Sequence, residues 1–267
     1  MTDVDIVGLG VWSEKFSNWD EYCSVLDGGA SETNTALKPA LIAPNERRRA
    51  PTSVKMAVEV MDQACRQAAL DPATAATVFA SAVGDMQITD YMCHTLATAP
   101  LTLSPTRFHN SVHNAATGYW SIATGSHSPA NAISGFAHSA GIAILEGAVQ
   151  AVEEGIPVLV VLLEMAAPIP FSSNYESAHP FAATVLLTPV GYSSSPLASL
   201  HLKVTADSID QPETPRIAGI DLSGNFAAGV LPLLTKISKC RDAELQFSLT
   251  RNSSLSISIA SGCQTRR

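Results

Sequence analysis

Four groups of residues in this 267-residue chain have the side chains or the spacing to do chemistry. In HNSVHN, His109 and His113 stand four apart, a spacing that puts two zinc ligands on one face of a helix. The residue after the first His is Asn110, so the base of an HExxH site is missing. No third ligand is indicated, and no metal site is expected; these side chains read as hydrogen-bonding or interface groups. The stretch AISGFAHSAGIAILEGAV, residues 132 to 149, reads as a buried strand turning sharply into a helix. A cysteine at the apex of such a turn would have its pKa lowered by the helix dipole, with backbone N–H groups ready for an oxyanion. None of Cys23, Cys65, Cys93, Cys240 and Cys263 is near it. His138 is a possible base with no nucleophile to serve, and Ser134 and Ser139 flank the apex rather than occupy it. The third group, Glu46-Arg47-Arg48-Arg49, is either a solvated loop or a docking site for an acidic partner or a phosphopantetheine carrier. The fourth, VGLGVW, is not GxGxxG, and no GxxxxGK[ST] exists anywhere, so no nucleotide cofactor is expected.

These groups need elements to hold them. VDIVGLGVW (4 to 12), TVFASAVGD (77 to 85), PANAISG, PVLVVLLEM, PFAATVLLTP (180 to 189) and LHLKVTAD read as strands. Residues 18 to 27, with Asn18 as cap, 52 to 69, 87 to 98, 104 to 125 and 137 to 155 read as helices. The 104–125 helix places His109 and His113 on one face and contains Gly118, read as a point of close backbone approach. The stretch before residue 50 reads as irregular. After residue 190 come a serine-rich linker, a loop around ETPRIAG, one helix over 225 to 237, a hairpin turning at Asn252-Ser253-Ser254, and a frayed tail over 261 to 267. Strands and helices alternating at these lengths imply a layered α/β domain with helices on both faces.

Composition narrows the class. Hydrophobic residues are 46% and charged residues 15%, enough apolar content for a sizeable core, with uncharged surface for a partner subunit. A net charge of −8 argues against nucleic acid. Scattered cysteines argue against a disulfide framework, the acidic start MTDVDIVGLG is not a signal peptide, and the apolar runs are too short for a bilayer. The expectation is a soluble cytoplasmic protein without membrane contact.

The ordered series VDIVGLGVWS, RRRAPTSVKMAVEVMDQA, VFASAVGD, FHNSVHNAATGYWSIATG, AISGFAHSAGIAILEGA, PVLVVLLE and FAATVLL resembles the N-terminal half of a β-ketoacyl synthase, over residues 4 to 188. Among such proteins it is most similar to the short chain-length-factor-like subunits of bacterial aryl polyene type II polyketide synthases. The resemblance implies a thiolase-like α/β layered sandwich: one domain over 4–260, with a reduced, truncated C-terminal part over 190–260. Laying the family's IDTACSSS on ISGFAHSA places Ala137 at the catalytic cysteine. The two histidine motifs of the family's second half have no counterpart, since His201 is the sole His after residue 189. The resemblance thus implies a catalytically inactive subunit, without cofactor or metal, that forms a heterodimer with an active ketosynthase and meets an acyl carrier protein. It implies a partner interface at His113, Asn114, Tyr119, Trp120, Asn131 and Ile133, carrier docking at Arg47, Arg48 and Arg49, and a tunnel wall at Phe136, Ala137 and His138. Two other readings remain: a stand-alone acyltransferase or decarboxylase using His138, His113 or Ser139, and a homodimeric scaffold or binding protein.

Overall fold

The chain runs β1 (Thr2–Ser13), α1 (Trp19–Leu26), α2 (Pro44–Arg49), α3 (Thr52–Gln67), β2 (Ala76–Ala80), α4 (Met86–Thr98), α5 (Pro105–His109), α6 (Ala115–Thr124), β3 (Ala130–Ile133), α7 (Ser139–Glu154), β4 (Val158–Glu164), α8 (Ile169–Ser172), β5 (Phe181–Pro189), β6 (Ala198–Thr205), α9 (Leu231–Ser238), β7 (Ala243–Thr250) and β8 (Ser253–Ser261). The computed structural model describes residues 2–30, 37, 39–207, 209, 217 and 219–262. Most of the expected ETPRIAG loop and of the expected tail lies outside the described residues.

Among the described residues, eight strands join one mixed sheet in the order β3-β2-β4-β5-β1-β6-β8-β7. β3, β2 and β4 are parallel, and the other pairings are antiparallel. Apolar residues on both sides of each central strand fit a sheet covered on both faces. In β4, Val158, Val160 and Leu162 enter the core beneath α7, while Leu159, Val161 and Leu163 enter the core beneath α3 and α6. In β1 the side-chain parity changes at a register shift between Ile6 and Gly8, which keeps Val4, Ile6, Leu9 and Val11 in the first core.

The glycines of VGLGVW serve packing. A Cβ at Gly8 would lie 2.2 Å from the Ala64 carbonyl oxygen, and one at Gly10 would lie 1.9 Å from that of Val60. The backbone of α3 therefore rests directly on β1. β6 pairs with β1 only as far as Ile6. Beyond that point α3 supplies the acceptors: Leu9 N–H donates to Gln67 Oε1 at 2.7 Å, and Val11 N–H to Gln63 Oε1 at 3.0 Å.

α7 is held between two parts of the sheet. A Cβ at Gly147 would lie 2.2 Å from Val160 Cγ2 on β4, and one at Gly141 would lie 2.8 Å from the Ser248 carbonyl oxygen on β7. β7 stands at the opposite end of the strand order from β2 and β4, so the sheet curls around α7 for both to reach it. The C-terminal strands thus extend the first sheet and cover the helix that follows the 134–138 turn.

Several expectations change. The expected helix over 104–125 is two helices, α5 and α6, broken at Asn110–Asn114. Buried Asn110 is held there by a bond from its Nδ2 to the Arg49 carbonyl oxygen (3.4 Å) and by accepting from Tyr119 Oη (3.2 Å). His109 and His113 are therefore not on one continuous helix. Gly118 has no atom within 4 Å of its Cβ position, so no backbone of this chain approaches it. The expected strand over 77–85 ends at Ala80, and the basic run sits on a short helix, α2. Cys240 is disulfide-bonded, whereas Cys23, Cys65 and Cys93 are thiols outside any disulfide. No helix among the described residues is long and apolar enough to cross a membrane.

Two glycine substitutions should move stability in opposite directions. Gly141→Val should cost at least about 2 kcal/mol in urea unfolding, because β7 backbone stands where the side chain must go. Gly118→Ala should add roughly 0.5–1 kcal/mol, from helix propensity at an open site. Equal effects from the two would contradict this packing.

Candidate functional site

The parallel strands β2, β3 and β4 end on one side of the sheet, where open α/β sheets place their sites. Glu164, the last residue of β4 and 2% exposed, ties these ends together. Its carboxylate accepts from the Ala82 N–H and from Ser81 Oγ (3.2 Å), and the Val83 N–H bonds to it as well. Ser81 Oγ accepts from Gly84 N–H at 2.9 Å, and Gly84 has φ +69°, which turns the chain into α4. This pull on the 81–84 segment is why β2 stops at Ala80. The Ala82 carbonyl in turn accepts from Ser134 Oγ at 2.8 Å, linking the segment to the turn after β3. Burial pushes the Glu164 carboxyl up to about 7, against the lowering effect of its hydrogen bonds.

The turn, Ser134 to His138, is tightly bonded. Ser139 Oγ donates to the Phe136 carbonyl at 2.7 Å and accepts from Gly135 N–H at 3.1 Å. His138 N–H donates to the Gly135 carbonyl at 2.9 Å. Within this bracket Phe136 has φ +48°, a left-handed conformation costly for a bulky residue, yet its side chain is 56% exposed. Ala137 follows it half-buried. His138 Nδ1 lies 2.7 Å from Ser248 Oγ on β7. With the Ser139 hydroxyl hydrogen on a carbonyl and His138 bonded to β7, the two do not form a nucleophile–base pair.

His113 Nε2 lies 2.9 Å from the Ile133 carbonyl, and its ring meets Phe79 edge to face at 5.8 Å. It braces the end of β3. No group of three or more His, Cys, Asp or Glu among the described residues could hold a metal.

β3 is an edge strand, paired only with β2. Asn131 is exposed on it, with its Nδ2 donating to Glu146 Oε1 at 3.2 Å, and half-buried Ile133 closes it. Beside β3 a groove of about 610 Å³ runs between α2, α5 and α6, lined by Leu41, Ile42, Val112, Gly118, Tyr119 and Ile122 among others. Ile122 is 81% exposed and Val112 53%. Asn114 is exposed at the start of α6. Trp120, by contrast, is fully buried in the core beneath α3, so its side chain is not on this surface. On α2, Arg47 donates to the Pro39 carbonyl (3.1 Å), Arg48 bonds Asn45, and exposed Arg49 pairs with Glu46 at 3.8 Å.

Comparison with known proteins decides the family. The model of the β-ketoacyl synthase N-terminal domain matches residues 18–220. The chain is a member of the β-ketoacyl synthase family. A search of curated proteins finds no match. Among solved structures, a chain of the complex of the ketosynthase ApeO with its chain length factor ApeC from Xenorhabdus doucetiae is similar at 19% identity and TM-score 0.67, covering 97% of this chain and 99% of that one. A chain of the ishigamide ketosynthase/chain length factor aligns at 12% identity and TM-score 0.73, over 98% and 99%. A β-ketoacyl synthase from Burkholderia phymatum STM815 aligns at 12% identity and TM-score 0.72, over 98% and 100%. These likenesses show the thiolase-like fold of β-ketoacyl synthases.

In this β-ketoacyl synthase domain the turn after β3 has no thiol. Cys65, on α3, is buried, and burial pushes its thiol up to about 12, so it is inert. Two residues that shape the site escape sequence inspection. Glu164 reads as the polar end of an apolar strand, and Ser248 stands 110 residues from His138.

Glu164 gives the pH prediction. Its folded pKa lies above the unfolded value, so its contribution to stability is present at low pH and is lost as pH rises through about 7. Unfolding free energy should fall between about pH 5 and pH 8 by a Glu164-dependent amount on the order of 3 kcal/mol. Glu164→Gln should flatten that slope; an unchanged slope would contradict the assignment.

Proposed function

We propose that this chain is a non-condensing, chain-length-factor-type subunit that pairs with an active ketosynthase in polyketide or fatty-acid-type elongation of the aryl polyene kind. The observation that carries the reading is the turn after β3: Ala137 stands where the family resemblance expects the cysteine, and Phe136 before it is turned outward at φ +48°. A thioester needs a thiolate, and an alanine methyl beside a phenyl ring offers none. The presence of ApeO with ApeC and of the ishigamide ketosynthase/chain length factor among structures of this fold supports the pairing.

The partner is an active ketosynthase seated on the β3 edge and the adjoining groove. An unpaired strand edge beside exposed Val112 and Ile122 is a surface that a second subunit stabilises by burial. Asn114, Tyr119, Asn131 and Ile133 belong to this interface; Trp120 supports it from beneath, and His113 holds Ile133 in place. Phe136, with Ala137 and His138 behind it, closes the end of the tunnel in which the chain grows. Arg47, Arg48 and Arg49 offer charge to the phosphopantetheine carrier of a cytoplasmic complex.

Co-expression with a candidate ketosynthase, followed by size exclusion with mass detection, tests the reading. A one-to-one complex is expected, and Ile122→Glu should abolish it while the free chain stays folded. A homodimer that ignores the synthase would overturn the heterodimer in favour of a scaffold. Phe136→Ala should lengthen the products of the complex, and unchanged lengths would remove Phe136 from the tunnel wall. Phe136→Asn, which tolerates a positive φ, should raise the melting point of the free chain through relief of roughly 1 kcal/mol of backbone strain.

A further inference from the structure

We infer that His138 and Ser248 are positioning residues for the Phe136 turn: their hydrogen bond ties the C-terminal hairpin to the turn and sets the direction in which Phe136 faces. The consequence for product length rests on the pairing with a ketosynthase proposed above; the bond itself does not.

Strand order makes this contact unusual. β3 and β7 are the two ends of the eight-stranded sheet. The turn leaving β3 and the strand at the far end nevertheless meet, because the sheet curls around α7. The 2.7 Å bond from His138 Nδ1 to Ser248 Oγ spans that meeting point. Ser248 is 4% exposed and His138 half-buried, so the bond is partly shielded from solvent. The register shift between Ser248 and Thr250 bends β7 at this residue. Ser248 Oγ also donates to the Thr250 carbonyl at 3.1 Å. With the one hydroxyl hydrogen used there, Nδ1–H of His138 is the donor to Oγ. Backbone contact secures the same spot: Gly141 lets the first turn of α7 lie against the Ser248 carbonyl.

Phe136 needs such bracing. A phenylalanine at φ +48° relaxes to an ordinary conformation unless its neighbours hold it. From the helix side, Ser139 Oγ holds the Phe136 carbonyl. From the hairpin side, Ser248 holds His138, two residues after Phe136. With both holds in place the exposed ring points one way; with the hairpin hold gone the turn keeps its bonds to Ser139 and to the Ala82 carbonyl but loses its tie to β7, and the ring samples other directions.

The test uses His138→Leu, Ser248→Ala and His138→Asn, whose amide stands where Nδ1 stood. Hydrogen exchange on the free chain reads the turn directly. His138→Leu and Ser248→Ala should speed exchange of the 135–139 amides by about fivefold or more, with β2 and β4 unaffected, as expected for losing one net hydrogen bond from a local opening. His138→Asn should stay within about twofold of the parent chain. In the reconstituted complex the first two variants should broaden the product-length distribution without loss of complex, and His138→Asn should restore it. Unchanged exchange in His138→Leu and Ser248→Ala would overturn the inference. So would unchanged products from intact complexes in which Phe136→Ala does alter length. If the parent chain forms no complex with any ketosynthase, the pairing fails while the exchange result still decides the role of His138 and Ser248.

Discussion

The structure depends on one spatial constraint, the confinement of α7. This helix has β4 on one face and β7 on another, with glycine at each close approach, Gly147 against Val160 and Gly141 against the Ser248 carbonyl. A helix gripped this closely cannot slide or rotate without clashing with a strand. Its N-terminus, and with it the turn from Ser134 to His138, is therefore fixed relative to the ends of β2 and β4. The hydrogen bonds from the Ala82 N–H to Glu164, and from Ser134 Oγ to the Ala82 carbonyl, complete the same fixation from the sheet side. An active β-ketoacyl synthase needs that rigidity to aim a nucleophile. Here the rigidity remains and the residue it aims is an aromatic ring.

In the proposed reading the turn has no nucleophile to aim, and strain there has no reason to persist unless something else uses it. Phe136 keeps a left-handed backbone conformation while more than half exposed. That combination fits presentation of the ring to a partner better than space filling, since a core residue would gain burial in exchange for the strain. Other exposed features agree: an open strand edge at β3 and an apolar groove lined by exposed Ile122 are also free to meet a partner.

Much of the fold was legible from local pattern. The uninterrupted apolar run of β4, the helical spacing through α3 and the Asn18 cap of α1 all form as their sequences suggest, because each is decided by burial or hydrogen bonding within a few residues. Elements set by distant partners were not legible. The break between α5 and α6 depends on Asn110 reaching Arg49, and the end of β2 depends on Glu164, 84 residues beyond Ala80. At the candidate site, the absence of a cysteine from the turn could be read directly. The burial of Trp120 could not, since helical periodicity does not say which neighbour covers a face. The role of Gly8 and Gly10 in seating α3 also required the packing to be seen.

The central claim is that this chain shapes a growing acyl chain without ever carrying it. Intact-mass measurement of the reconstituted pair, loaded with acyl carrier protein, addresses this most directly. The account predicts an acyl adduct on the ketosynthase subunit and none on this chain, at any time point. An acyl mass gained by this chain, above all one that maps to Ser139 or a cysteine, would contradict it and make the chain a condensing or transferring enzyme in its own right.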